Sequence, residues 1–295
     1  MLNTERPSSR HTDLDQYSVE QLVDAFVSDQ LFAVEAVRAA SAQIAAAVTA
    51  AVPRIREGGR LLYVGAGTSG RLGVLDSVEL PPTFSWPKER AVAMLAGGQS
   101  AMFEAVEGAE DDVVLGRDDI LRANTGPLDV VLLLAASGAT PYVLGALYAA
   151  KAAGALTIGF ANNPDAPVAT AADIGVTLDT GEEVISGSTR LKAGTSQKIA
   201  LNTFSSSLMV KLNKVYGNLM VDLKPTNAKL LKRSVALTMH ATGVDEQHAE
   251  QVLATCGHHV KVAIVAIKRQ VDTDEAQVLL ETADGNVHLA LQEPA

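Results

Sequence analysis

The apolar positions of this chain follow two rhythms. Short unbroken apolar runs occur at 61–65 (LLYVG), 91–97 (AVAMLAG), 130–136 (VVLLLAA), 156–161 (LTIGFA) and 174–178 (IGVTL). Runs of this length without polar alternation suit strands buried on both faces of a parallel sheet. The intervening segments, about 71–80, 100–110 and 141–153, carry helical patterns. This alternation predicts an α/β fold, a three-layer doubly wound arrangement around a five-stranded parallel sheet. In such sheets ligands bind at the loops that follow the carboxyl ends of the strands.

Helical text flanks this core on both sides. Residues 1–17 are polar and predict an extended arm. From Ser18, a fitting N-cap, Ala-rich text predicts two helices ending near Glu57-Gly58-Gly59. A long helix is predicted from about Lys192 to Val215, then helices at 227–241, 245–256, 259–268 and 272–281. The expected division is 1–57 for the N-terminal arm and helices, 58–226 for the α/β domain, and 227–295 for a C-terminal helical region.

Composition narrows the function classes. The 295 residues are 47% hydrophobic and 20% charged, which supplies a large core and argues against long disordered tracts. A net charge of −10 disfavours nucleic-acid binding. Cys256 is the single cysteine, so an internal disulfide and a multi-thiolate metal site are excluded. No apolar run approaches the ~20 residues of a membrane helix, and the N-terminus has no signal-peptide core. The expectation is a soluble cytoplasmic protein without membrane attachment. The Ala-rich helices at 18–52 and 192–215 carry more small apolar surface than one sheet layer requires, so a homodimer is expected.

Three segments share one chemistry. Gly65-Ala66-Gly67-Thr68-Ser69-Gly70-Arg71 lies between a strand and a helix. Its glycines permit a tight turn that presents N–H groups, and the helix start favours an anion. Thr68 and Ser69 add hydroxyl donors and Arg71 a full charge. Ala136-Ser137-Gly138-Ala139-Thr140-Pro141 repeats the arrangement, with Pro141 suited to a first helical turn. The third, 186–195, offers Ser186, Ser188, Thr189, Arg190 and Lys192 before the long helix. Any one such turn more commonly only caps a helix. Three in one chain point to a phosphate site. A dinucleotide is disfavoured, because Gly97 rather than an acid follows the second strand, and no GxxxxGK[ST] loop occurs. A small phosphorylated ligand fits better than a nucleotide.

Two carboxylates are candidates for acid–base work. Pro81 and Pro82 are expected to stop the preceding helix and leave Glu79 in its last turn. That is the negative end of the helix dipole, where a carboxyl group favours its protonated form, as a general acid requires. On spacing alone, a surface carboxylate near a helix end is the better reading. Glu110 stands in an acidic cluster after Gly108, which is expected to break the helix and place Glu110 on a loop. An acidic cluster at a helix end is usually a solvated turn, and nothing in the local text says that this carboxylate reaches a substrate.

The segments LLYVGAGTSGRLGVLDSVELPPTF, AVEGAEDD, LLAASGATPYVLGAL, SGSTRLKAGTSQKIALN and VYGNLMVDLKPTNAKL together resemble the N-acetylmuramic acid 6-phosphate etherases, sugar isomerase (SIS) domain proteins. The likeness covers roughly residues 10–245 and is most specific between 61 and 226. It implies cleavage of the lactyl ether of N-acetylmuramic acid 6-phosphate to N-acetylglucosamine 6-phosphate and D-lactate in cell-wall sugar recycling. The implied route is elimination followed by addition of water, with neither metal nor organic cofactor. It also implies Glu79 as proton donor and Glu110 as base. Leu80 stands where the family commonly has Cys. Two other readings use the same domain: a non-catalytic sugar-phosphate sensor, as in a kinase regulatory protein resembling the etherases, and an aldose–ketose isomerase.

Overall fold

The structure is a computed structural model, and it describes residues 1–223, 225 and 227–292. Lys224 and Thr226, at the expected 226/227 boundary, and residues 293–295 of the expected C-terminal region lie outside the described residues. The chain divides into two compact units. One comprises Met1–Val78 with Lys88–Ser206, and the other Glu79–Pro87 with Ser207–Ala295.

In the first unit the five apolar runs are the strands β1 (Leu61–Gly65), β2 (Ala91–Leu95), β3 (Val130–Leu134), β4 (Leu156–Ala161) and β5 (Ile174–Thr177). They form one all-parallel sheet in the order β2-β1-β3-β4-β5. The order reverses beside β1: the chain passes from β1 outward to β2 and returns to β3 on the other side. The register sets Gly65 beside Leu134, so the loops leaving β1 and β3 start side by side. This is the switch point at which open α/β sheets bind ligands.

Alternate residues of each central strand serve the two faces of the sheet. Leu62, Val64, Val131 and Leu133 pack on one face in a core with Ile120, Val143 and Leu147. These come from α5 (Val113–Arg122) and α6 (Pro141–Ala152). The two helices touch backbone to backbone. A Cβ at Gly116 would lie 1.9 Å from the Tyr142 carbonyl oxygen, and one at Gly145 would lie 2.1 Å from that of Val113. On the opposite face Tyr63 is fully buried and donates to Asp76 Oδ2 at 2.8 Å. Asp76 lies on α4 (Gly67–Phe84) and also accepts from Asn202 at 2.6 Å and Ser205 at 3.1 Å, both on α8 (Lys192–Lys211). Burial and the neighbouring Asp76 carboxylate push the Tyr63 phenol well above its ordinary range.

Several local expectations are corrected. The Ala-rich N-terminal text forms α1 (Val19–Asp29), α2 (Leu31–Ala39) and α3 (Ser41–Arg56), not two helices. Ser18 caps α1 in a reciprocal capping box with Gln21. Residues 100–110 hold 3-10 turns at Gly98–Met102 and Ala109–Asp111, and the α-helix begins later, at Val113, capped by Asp112. Pro81 and Pro82 do not stop α4, which continues to Phe84. Proline's fixed φ is already helical, and the Thr83 hydroxyl donates to the Glu79 carbonyl at 2.8 Å. Glu79 is therefore outside the last turn, and the helix-end argument for it does not hold. The long helix α8 ends at Lys211, not near Val215.

The short helix α7 (Pro167–Ala171) completes the first unit. The second unit contains α9 (Ala228–Thr242), α10 (Glu246–Thr255), α11 (Val260–Arg269), α12 (Thr273–Thr282) and α13 (Val287–Ala290) around its own core of residues such as Leu253, Ile264 and Leu280. Cys256 is buried in that core.

Candidate sugar-phosphate site

A cavity of about 360 Å³ opens where the loops after β1 and β3 meet. Its walls include Thr68 and Ser69 from the first loop, Ser137 and Thr140 from the second, and Thr189 from the third. Glu110, Asp111 and Glu5 complete them. The first loop is pressed tightly against its strand: a Cβ on Gly70 would meet the Gly65 carbonyl oxygen at 2.6 Å and Leu95 Cδ1 at 2.4 Å. That close approach turns the chain at once into α4, so the unpaired N–H groups of the first helical turn border the cavity. In the second loop Gly138 has φ +73°, a left-handed conformation that suits glycine. Ser137 Oγ accepts from the Ala139 N–H at 3.2 Å, and Thr140 is the N-cap of α6 with its hydroxyl unused in capping. Two helix starts and a set of hydroxyls thus converge on one space, an arrangement of donors suited to an anion.

The third loop contributes less than the sequence suggests. The start of α8 is occupied by a carboxylate of the protein itself: Glu183 accepts from the N–H groups of Lys192 (3.1 Å) and Ala193 (2.9 Å). Burial pushes the Glu183 carboxyl up, opposed by those hydrogen bonds and the Lys192 charge. The Lys192 ammonium turns to Asp29 and the Glu182 carbonyl. The Ser186 hydroxyl donates to the Glu5 carbonyl at 3.1 Å. Thr189 lines the cavity, whereas Ser186, Ser188 and Lys192 do not.

Arg71 lies in the wall of an adjoining cavity of about 250 Å³, which shares Ala66, Gly67 and Glu110 with the first. Its guanidinium donates to the carbonyls of Ala101 (2.9 Å) and Glu104 (3.2 Å), so it holds the segment that leads to Glu110. Glu110 is exposed within the 3-10 turn Ala109–Asp111, directly after Gly108 at φ +74°. Glu79 is exposed on α4 and belongs to the second unit. Among the described residues no group of three His, Cys, Asp or Glu side chains is arranged to hold a metal ion. No single described helix is long and apolar enough to cross a membrane.

Sequence reasoning missed Glu5. The N-terminal arm is not a loose polar extension: Thr4 is fully buried, and Glu5 reaches the cavity wall. A lone threonine in polar text gives no periodic signal for this.

Comparison with known proteins identifies the domain and its relatives. Residues 43–151 match the glucokinase regulatory protein N-terminal SIS domain, and residues 113–207 match the SIS domain. A Deinococcus radiodurans protein named N-acetylmuramic acid 6-phosphate etherase is 57% identical over 98% of this chain and 95% of its own length. Proteins of the same name from Mycolicibacterium smegmatis and Serratia proteamaculans are each 45% identical. The first covers 98% of this chain and 97% of its own length, the second 94% of each.

Proposed function

The chain belongs to the N-acetylmuramic acid 6-phosphate etherases, and from that premise we propose how its cavity serves the reaction. The enzyme cleaves the lactyl ether of N-acetylmuramic acid 6-phosphate, in the recycling of peptidoglycan amino sugars. The 6-phosphate sits against the hydroxyls of Thr68, Ser69, Ser137, Thr140 and Thr189 and the starts of α4 and α6. The observation that carries this placement is the convergence of those hydroxyls and helix starts at the β1/β3 switch point.

With the phosphate fixed and the sugar open as its aldehyde, the C2 proton is acidified by the neighbouring carbonyl. The Glu110 carboxylate, in the cavity wall, takes that proton. The C3–O bond breaks, and lactate leaves with a proton from Glu79. Water then adds at C3 of the unsaturated aldehyde, returning its proton to Glu79, while C2 recovers a proton from Glu110. Each acid ends as it began, and no redox step occurs. The hydroxyl cup alone would suit an isomerase equally; the identity over nearly the whole chain favours the etherase.

The reaction is placed in the cytoplasm, where the recycled sugar phosphate would be met. The working form is a homodimer. Val19, Val23, Val27 and Leu31 recur every four residues along α1 into α2, and each is more than half exposed. A second copy would cover that stripe.

Incubation with N-acetylmuramic acid 6-phosphate in deuterated water tests the assignment. Glu79→Gln should retain deuterium exchange at C2 while lactate release falls about 10²–10⁴-fold. Glu110→Gln should lose exchange and turnover together. A reversed pattern would exchange the two roles, and full lactate release from both variants would overturn the mechanism.

A further inference from the structure

The N-terminal arm is anchored at two places in the first unit. Arg10 donates to Asp29 at 2.8 Å, and Asn3 donates to Asp179 at 3.1 Å. Between them Thr4 is locked on both sides. Its N–H donates to Asn163 Oδ1 at 3.3 Å, and Asn163 Nδ2 donates to the Thr4 hydroxyl at 3.1 Å and to the Ala136 carbonyl at 2.9 Å. The Thr4 carbonyl accepts from the Gly187 N–H at 3.2 Å, and the Glu5 carbonyl accepts from Ser186. The backbone of residue 5 is therefore fixed to the two loops that carry Ser137 and Thr189. Glu5 is an exposed residue of the cavity wall, and its carboxylate lies beside Gly187, where a Cβ would lie 3.0 Å from Glu5 Oε2. Neither Glu5 carboxylate oxygen has a hydrogen-bond partner among the described residues.

We propose that Glu5 is a substrate-binding residue that accepts hydrogen bonds from the hydroxyl or amide N–H groups of the bound sugar, and so selects a sugar phosphate over a bare phosphate. This rests on the cavity being the sugar-phosphate site. The chemistry follows from donor and acceptor types. An ionised carboxylate only accepts, and so does a phosphate dianion, so the two repel. The hydroxyls of an amino sugar and its acetamido N–H donate. The cup holds hydroxyls together with the Glu110 and Asp111 carboxylates. From the side of the N-terminal arm, Glu5 gives the non-phosphate part of the ligand a further charged partner and adds to the penalty on an anion that lacks donors. Hydrogen bonds to an ionised group are the stronger kind.

Calorimetric titration of the intact chain with N-acetylglucosamine 6-phosphate and, separately, with inorganic phosphate tests the assignment. Glu5→Ala should weaken the sugar phosphate about tenfold or more and leave inorganic phosphate unchanged or bound more tightly. Glu5→Gln, which keeps every backbone tether of the arm, should show a smaller loss in the same direction with an unchanged denaturation midpoint. Equal losses for both ligands, or undiminished sugar-phosphate affinity in both variants, would overturn the role of Glu5. Failure of the unaltered chain to bind the sugar phosphate would overturn the sugar-phosphate reading of the cavity and Glu5's role with it.

Discussion

The Lys192 ammonium lies 3.0 Å from Asp29 Oδ1, and both side chains are 1% exposed. The pair joins the last residue of α1 to the first of α8. Arg10 also reaches Asp29, at 2.8 Å from its surface side, and stacks 4.5 Å over the Phe32 ring. One carboxylate thus gathers the arm and two helices.

Removing Asp29 should leave Lys192 buried without its ion-pair partner, since the Glu182 carbonyl supplies no charge and the Glu183 carboxylate is held on the N–H groups at the start of α8. Asp29→Ala is expected to cost about 3–5 kcal/mol, the penalty for breaking a buried pair from one side. Lys192→Met should cost less, because Arg10 still faces Asp29. Urea denaturation reads the difference. A phosphate-binding Lys192 would instead show its main loss in affinity for the sugar phosphate, with stability little changed.

Thr140→Val removes a hydroxyl from the cavity and keeps the side-chain shape. Affinity for N-acetylglucosamine 6-phosphate should fall by about 1–3 kcal/mol, with no loss of stability because that hydroxyl caps nothing. Unchanged affinity by calorimetry would remove Thr140 from the phosphate cup.

The contact between α5 and α6 should tolerate no added carbon. At Gly116 a methyl would meet the Tyr142 carbonyl oxygen at 1.9 Å, which the backbone can relieve only by moving the helices apart. Gly116→Ala is expected to lose about 3 kcal/mol, the upper range for overpacking. Gly126→Ala, with nothing within 4 Å of the added Cβ, should lie close to neutral. Thermal melting of the two variants side by side gives the comparison.

Acid should weaken the fold through Asp129. Burial pushes its carboxyl up, but hydrogen bonds from Arg60 and from the Gly126 and Arg60 backbone, with the guanidinium charge, hold it below its ordinary value. Arg60 grips it at 3.0 Å through Nε and 2.7 Å through a terminal nitrogen. A group depressed in the folded state stabilises above its unfolded value of about 3.9, and that stabilisation is lost as pH falls below it. Asp129→Asn should therefore be less stable at pH 7 by about 1.5–3 kcal/mol. The gap to the unaltered chain should close as pH drops below about 4. A gap constant with pH would refute the linkage.

Much of this was legible in the chain, for reasons that differ by element. The five strands announce themselves because a central parallel strand buries both faces and leaves little room for polar residues. The first two loops do so because a tight strand-to-helix turn needs glycine and a helix start favours Ser or Thr. What escaped depends on pairings distant in sequence. That Lys192 faces Asp29 and that Glu183 fills the start of α8 are facts of packing between segments far apart or newly turned, and neither leaves a local pattern. The start of α5 was legible after all in Asp112 preceding VVLGRDDIL, but the acidic cluster around it obscured the cap. Pro81 and Pro82 misled for a different reason: proline removes a donor, yet its φ suits a helix that is about to end.

The cavity draws its walls from positions as far apart as Glu5 and Thr189. A chain emerging during synthesis cannot bind its ligand until nearly two thirds of it has been made, and until the first few residues have waited for Asn163 and the loop at Ser186 and Gly187 to arrive. Occupation of the finished cavity then stabilises only the fully assembled unit, by about 2.7 kcal/mol at a hundredfold excess of ligand over its Kd. Substrate supply would in this way protect the completed enzyme against proteolysis, while truncated or half-folded chains would gain nothing from it.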